Sequence, residues 1–306
     1  AISFFTFQQI AYLVDCYNNA VRERDLLSYC LFVMFFPQLI AGPIVHHAEM
    51  MPQFNRLKNK VVHWHHIAAG IYIFAIGLFK KVVLADSFGV WARDGFDVAQ
   101  SLDFSSAWAT ALSYTFQLYF DFSGYTDMAI GSAALFNITL PLNFNSPYTA
   151  RTIQDFWRRW YMTLSRFLRD YLYIPLGGNR KGNILQMRNI FLTFVLGGLW
   201  HGAGWTFVIW GAWHGIGSVI HRLWEQGTRR LAKPVAWLTT FLFVVVGWVF
   251  FRAHDFTAVV KLLRGMFGLN GFNVPHFLAR KLQCLSQFGI TIPDTYFGAH
   301  EEKRMF

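Results

Sequence analysis

Charged side chains are scarce in this sequence. Asp, Glu, Lys and Arg together make up 14% of its 306 residues, whereas a soluble domain carries about 25%. Hydrophobic residues account for 54% of the chain and aromatic residues for 19%. This balance is typical of a multi-pass membrane protein, which uses Phe and Trp on lipid-facing surfaces and in interfacial belts. The alternative, a large soluble protein with a very apolar core, fits the composition less well.

Cysteine is also rare. Only Cys16, Cys30 and Cys284 occur, and their spacing matches neither a disulfide framework nor a metal site. We expect Cys16 and Cys30, which lie in or beside apolar segments, to be buried thiols. We also predict no metal site in the histidine-rich stretch 46–66, because no acidic or cysteine partner accompanies it at a fixed spacing.

Acidic residues are outnumbered, and the formal net charge is +10. In a soluble protein this excess would suggest a nucleic-acid partner. Here the basic residues lie mostly between apolar segments, where positive-inside topology and anionic lipid headgroups account for them. We therefore expect the lipid bilayer, and no nucleic acid, as a partner.

The sequence begins with Ala1, and we do not expect its first apolar stretch to be a signal peptide, because it lacks a basic n-region and a small-residue cleavage site. We expect a longer protein whose first membrane spans are missing here. The apolar segments each provide roughly the 20 residues that a membrane helix needs, or more. They lie near 2–17, 26–46, 67–92, 106–140, 189–221 and 235–252.

These segments predict one membrane-embedded domain over residues 1–306, with about seven to nine membrane elements, some of them re-entrant. Segments 106–140 and 189–221 are long enough for two passes or for a broken helix. Residues 253–268 are typical of an interfacial amphipathic helix. The tail from about 270 to 306 is not assigned a structure, and no internal repeat is evident.

A proline and two carboxylates interrupt the apolar segments. Pro37 should kink or end a helix, and Asp121 and Asp127 lie inside an apolar run. Irregular backbone at membrane depth is tolerated only where protein or a water-filled cavity covers it. The breaks favour a core lined by a cavity, although mutual packing of helices without a cavity remains open.

His201 is the strongest candidate for a functional residue. It lies in the apolar stretch GGLWHGAGW (197–205), which contains almost no other polar side chain. An ionisable group at membrane depth is costly unless it is neutral, paired or facing a cavity. A histidine in such a place can accept and release a proton near neutral pH.

Residues 156–172 form an amphipathic pattern with aromatic residues on one half and arginines on the other. The pattern predicts one helix in the membrane interface. Between Arg151 and Arg188 there are eight basic and two acidic residues, so this loop should be cytoplasmic. The helix is a topological anchor, a site where Arg158 and Arg159 hold the phosphates of a cytoplasmic donor, or both.

The motifs together resemble the membrane-bound O-acyltransferase family, in its alginate O-acetyltransferase branch, over nearly all of residues 2–253. They are ISFFTF (2–7), FPQLIAGP (36–43), QLYFDFSGY (117–125), NFNSPY (143–148), FWRRW (156–160) and GLWHG (198–202).

The resemblance implies an all-α, multi-pass helical bundle in the bacterial inner membrane, with a central tunnel and with re-entrant and interfacial helices. It further implies an O-acetyltransferase without a bound cofactor. The acetyl group would come from acetyl-CoA on the cytoplasmic side. It would pass to an exported polysaccharide such as alginate, cellulose or peptidoglycan, with the help of a periplasmic acetyltransferase.

The resemblance makes His201 the essential histidine and general base. Family members often carry a second histidine where this chain has Tyr161, which either positions a group or simply packs. Asp121 or His214 could orient His201 or the acceptor, but His214 would need a break in the helix, which Gly202 and Gly204 could supply. A proton-coupled transporter or polysaccharide-export component, and a structural scaffold, remain the alternatives.

Overall fold

The structure, a computed structural model, describes residues 2–21, 25–39, 42–227 and 231–272, and all regular elements in these ranges are helical. This confirms the all-α fold class. The tail beyond 272 lies outside the described residues. The helices are α1 (Ile2–Tyr17), α2 (Leu26–Met34), α3 (His47–Phe54), α4 (Trp64–Phe79), α5 (Asp86–Arg93), α6 (Phe104–Ala134), α7 (Ile153–Arg159), α8 (Met162–Leu168), α9 (Asn183–His201), α10 (Trp205–Glu225), α11 (Lys233–Arg252) and α12 (Phe256–Met266).

Two helical rods of the described chain are long and apolar enough to cross a membrane, judged by length and composition. One is α11, and the other is the 35-residue rod Trp64–Val98, in which π-helical turns at Lys80–Ala85 and Asp94–Val98 extend α4 and α5. Helices α6, α9 and α10 are comparably long but less apolar, because they carry glycines and polar residues. The expected number of seven to nine membrane elements therefore stays a prediction.

Helix α6 is a single uninterrupted helix of 31 residues, capped by the carboxylate of Asp103. The prediction of two passes or a broken helix for 106–140 is therefore wrong. The carboxylates that suggested a break are paired instead. Asp127 accepts a hydrogen bond from Lys80 at 2.6 Å, and Asp121 lies 2.7 Å from the Lys81 ammonium.

Close helix packing around α6 depends on small residues. A Cβ atom at Gly77 would lie 2.7 Å from the backbone nitrogen of Met128, and one at Gly70 would lie 2.7 Å from the carbonyl oxygen of Gly131. Glycines that let two backbones approach this closely are typical of helix pairs in membranes. They fix α4 along the length of α6.

The segment 26–46 contains a short helix rather than a long one. Helix α2 has nine residues, or about 14 Å at 1.5 Å per residue, and a 3₁₀ turn at Phe36–Gln38 follows it. Pro37 therefore ends the helix as predicted. The predicted burial of Cys16 and Cys30 is only partly right, because both residues are half-buried.

The predicted continuous helix over 156–172 is wrong. Helix α7 ends at Arg159, and Tyr161 adopts a left-handed backbone conformation with φ of 43° before α8 begins. Asn143 holds this break, since its carbonyl oxygen accepts from the Met162 amide at 2.9 Å and its side chain accepts from the Thr163 hydroxyl at 2.6 Å. The periodicity of the segment could not reveal a partner so far away in sequence.

The segment 189–221 is a helical hairpin, which confirms the break expected at the glycines. Helix α9 ends at His201 and α10 begins at Trp205. The two helices touch closely, because a Cβ atom at Gly211 would lie 3.0 Å from the Cα atom of Val195. The amphipathic helix expected over 253–268 is confirmed as α12, which buries Val259 and Leu262.

Candidate active site

One cavity of about 880 Å³ lies among α6, the α7–α8 region, α9, α10 and α11. Basic side chains, aromatic rings and the imidazole of His201 all line it. The basic side chains are Arg158, Arg166, Arg169, His221 and Arg222, and the aromatic rings include Phe122, Trp157, Trp160, Tyr161, Phe194, Trp210, Trp248 and Phe251.

His201 is the last residue of α9 and lines the cavity. Its ring meets Trp210 edge-to-face, with centroids 5.1 Å apart and planes at 89°. Phe251 makes a similar contact at 5.0 Å and 77°. No side chain of the described residues hydrogen-bonds the imidazole. Aromatic rings therefore fix its orientation and leave its nitrogens for a group that enters the cavity.

Gly202 provides the space that this arrangement needs. A Cβ atom there would lie 2.5 Å from Cε2 of Phe207, whose ring stacks 6.5 Å from that of His201. Gly202 has an extended backbone conformation that any residue can adopt. A glycine is needed here because a side chain would collide with the Phe207 ring.

His214 does not reach the cavity. It is fully buried in α10, and neither of its ring nitrogens has a hydrogen-bond partner in the described chain. Trp210 contacts His214 at 5.1 Å as well as His201, so the indole lies against both imidazoles. His214 therefore makes no hydrogen bond that could orient His201, although the helix break that would allow one is present. Its ring neighbours are Phe156, Trp157, Phe194, Trp210, Phe243 and Trp248.

Asp121 faces away from His201. It lies 2.7 Å from the Lys81 ammonium, and its side chain is 48% exposed. From the same helix, Leu118 and Phe122 line the cavity instead. The proposed role of Asp121 in orienting His201 is not supported by this position, because α6 turns that residue toward the α4–α5 rod.

Tyr161 lines the same cavity as His201. Its side chain is 3% exposed, and its ring meets Phe122 edge-to-face at 4.7 Å. The expected packing role is therefore present. The left-handed conformation at this residue turns the chain between α7 and α8, so the ring also closes part of the cavity wall.

The two adjacent arginines are placed differently. Arg158 lines the cavity. Arg159 does not, and its Nε atom donates to Asp155 at 2.8 Å. The i,i+4 spacing of Asp155 and Arg159 was visible in the sequence and could have separated the two arginines.

Sequence reasoning missed other basic residues at the cavity. Arg166 and Arg169 fall on the polar half of the predicted amphipathic helix, but the pattern could not tell which polar residues face a cavity. Arg222 and His221 come from α10, and nothing in the sequence connects them with the α7–α8 region. Only the packing of α10 against α7 brings them together.

Comparison with known proteins finds a family model and relatives that all concern acyl transfer. A model of the membrane-bound O-acyltransferase family matches residues 1–255, a range that contains all of the residues lining the cavity. A peptidoglycan O-acetyltransferase of Helicobacter pylori is 55% identical, over 94% of this chain and 60% of its own length. A probable alginate O-acetylase of Pseudomonas putida is 44% identical, over 89% and 56%.

A more distant relative, a teichoic acid D-alanyltransferase of Streptococcus thermophilus, is 27% identical over 76% of this chain and 59% of its own length. The chain thus spans little more than half the length of these relatives. The match to the family model covers most of the chain, including the hairpin that carries His201. The chain therefore belongs to the membrane-bound O-acyltransferase family.

Proposed function

We propose that the protein is an O-acetyltransferase of the bacterial inner membrane. It takes an acetyl group from acetyl-CoA on the cytoplasmic side and passes it across the membrane for O-acetylation of an exported glycan. The observation that carries this proposal is one cavity lined by both Arg158 and His201, together with aromatic rings. A thioester donor with phosphates needs both kinds of surface.

The basic side chains that line the cavity suit the phosphates of the donor. A guanidinium is always charged and binds phosphate oxygens through two parallel N–H groups. Arg158 lines the cavity and can make this contact. Arg159 is engaged by Asp155 outside the cavity, and we assign it no donor contact.

The chemistry at His201 is acyl transfer from sulfur to oxygen. The imidazole accepts the proton of the acceptor hydroxyl as the oxygen attacks the thioester carbonyl carbon. A C–O bond forms, the C–S bond breaks, and the departing thiolate takes the proton from the imidazolium. General-base assistance of this kind contributes about 10²- to 10⁴-fold to the rate.

The aromatic surroundings of His201 support transfer over hydrolysis. Trp210 and Phe251 pack edge-to-face against the imidazole, so apolar surface flanks the group that takes part in the transfer. Exclusion of water from a site prevents side reactions such as loss of the acetyl group to water. In this proposal the cavity is the donor side of a tunnel that continues to the periplasmic face, where the partner acetyltransferase receives the group.

The final acceptor is a glycan hydroxyl. One relative at 55% identity acetylates peptidoglycan by name, and relatives near 44% are named for alginate. We therefore place peptidoglycan before alginate as the acceptor. Measurement of base-labile acetate on each envelope polymer, with and without the gene in the native host, tests this order directly.

The transporter alternative would use His201 as a proton relay, with Asp121 and Asp127 in support. We favour it less, because both carboxylates are paired with lysines. Neither lines the cavity that contains His201. Incubation of the purified full-length protein with labelled acetyl-CoA and its periplasmic partner separates the two functions. We expect acetyl transfer, whereas substrate flux without transfer would contradict the proposal.

A further inference from the structure

Arg166 lines the cavity and is held by a residue from a distant part of the chain. Its Nη1 atom donates to Oε1 of Glu49 at 2.5 Å, and its Nη2 atom donates to Oε2 at 3.0 Å. The pair joins α8 to the first turn of α3. A two-point contact of this kind fixes the plane of the guanidinium as well as its position.

One edge of this guanidinium remains unused. The Nε atom is buried and has no hydrogen-bond partner among the described residues. A guanidinium has five N–H donors in a fixed fork, and Glu49 occupies the edge formed by Nη1 and Nη2. The Nε–H group and the second N–H of Nη2 therefore form another two-point fork on a side chain that lines the cavity.

Glu49 itself is firmly placed. Helix α3 buries His47, Met50 and Met51. The Gln53 side chain, one turn later, donates to the carbonyl oxygens of Glu49 and Thr139. The carboxylate of Glu49 is therefore presented from a helix that is anchored on both faces. A long arginine side chain loses less freedom on binding a ligand when such a group already orders it.

The titratable groups near the Glu49–Arg166 pair are neutral or engaged with other partners. Burial, with the nearby Arg166 charge, holds the pKa of His46 below its usual value, so that imidazole is neutral at neutral pH. Asp15 accepts a hydrogen bond from the Tyr171 hydroxyl at 2.8 Å. Asp170 pairs with Arg169 at 2.7 Å.

We propose that Glu49 is a positioning residue, which orients Arg166 so that the Nε–Nη2 edge binds a phosphate of the donor. This inference rests on the proposed function, since it names the contact made by the donor in the same cavity. It assigns Arg166 to donor binding beside Arg158, and it gives Glu49 a role although a carboxylate alone would repel phosphate.

The two roles open to Glu49 predict opposite results. If Glu49 positions Arg166, Glu49→Gln weakens binding of CoA by about tenfold and raises the donor KM by the same factor, as loss of a charge-assisted contact does. The kcat value stays within about twofold. If Glu49 only competes with phosphate, the same variant binds CoA more tightly. Calorimetric titration of the purified full-length protein with CoA measures this without turnover.

Three further variants sharpen the test. Glu49→Asp should recover part of the affinity, because it keeps the charge at a shorter reach. Arg166→Lys should weaken CoA binding as Glu49→Gln does, and the two substitutions together should be less than additive. Asp97→Asn is the matched control, since Asp97 pairs with Arg252 at 2.6 Å across distant elements and neither residue lines the cavity. We expect it to leave CoA binding unchanged.

The outcomes separate this inference from the proposed function. Unchanged or tighter CoA binding in Glu49→Gln, or an equal loss in Asp97→Asn, overturns the positioning role while the enzyme still transfers acetyl groups. Wild-type protein that binds CoA but transfers nothing overturns the proposed function and leaves the binding comparison decisive for Glu49. Wild-type protein that binds no CoA overturns both. Thermal unfolding of each variant shows that the compared proteins are folded.

Discussion

His201 and His214 are the same type of residue on the two helices of one hairpin, and both rings lie 5.1 Å from the ring of Trp210. Their surroundings differ on the other side. His201 lines a cavity of about 880 Å³, whereas His214 is fully enclosed and its nitrogens lack partners among the described residues. The comparison teaches that, of two imidazoles in the same apolar hairpin, only the one that lines the cavity is placed where a substrate could contact it.

The largest expected effect is at His201. His201→Leu removes the proton acceptor but keeps a side chain of similar size, so acetyl transfer should fall by about 10²- to 10⁴-fold. Ester-linked acetate on the exported glycan of the native host measures the loss. The amount of protein in the membrane should not change. Normal ester content in this variant would mean that His201 is structural, as a scaffold role predicts.

The next effect concerns the ring that both histidines share. Trp210→Phe keeps an aromatic contact but loses the larger indole, so the imidazole of His201 is held less firmly. Each aromatic pair contributes about 0.5–1.5 kcal/mol, so complete loss of the pair would correspond to a decrease in kcat of about twofold to thirteenfold. The donor KM should stay close to the wild-type value. A change in KM alone would place Trp210 in donor binding instead.

A smaller effect distinguishes the two adjacent arginines. Arg158→Gln removes a guanidinium that lines the cavity, and we expect the donor KM to rise by about fivefold with little change in kcat. Arg159→Gln removes only the pair with Asp155, which is worth about 0.3–0.5 kcal/mol at i,i+4 spacing. Steady-state kinetics with acetyl-CoA compares them. Equal increases in KM would contradict the assignment of the donor contact to Arg158.

The smallest effect is expected at His214. His214→Leu replaces a buried ring without hydrogen bonds by an apolar side chain of similar volume, a change that is nearly neutral or stabilising. Transfer should stay within about twofold of wild type, and the melting temperature should be unchanged or higher. The space is limited, because a Cβ atom on Gly247 would lie 2.7 Å from the His214 Nε2 atom. A large loss of activity in a stable variant would give His214 a chemical role.

Sequence reasoning identified His201 because a polar residue between glycines in an apolar run is rare, and the structure places it at the hairpin tip. The break between α7 and α8 was not predictable, since Asn143 closes it from 18 residues before Tyr161. The environment of Asp121 was also hidden, because its partner Lys81 comes from another helix.

The same physical reason explains what was found and what was missed. Helical periodicity reports which residues share a face of one helix, and so it identified α12 and the basic half of 156–172. It carries no information on which face meets a cavity formed with other helices. Arg166 and Arg222 could therefore be recognised at the cavity only from the packing of α8 and α10.

A single-turnover assay of His201→Leu beside His214→Leu tests the central claim most directly. Each purified protein is mixed with labelled acetyl-CoA and the periplasmic partner, and the acetyl group that reaches a hydroxyl is counted over time. The account predicts that His214→Leu transfers at nearly the wild-type rate and that His201→Leu is slower by at least about 100-fold. Equal rates in the two variants, whether fast or slow, would contradict it.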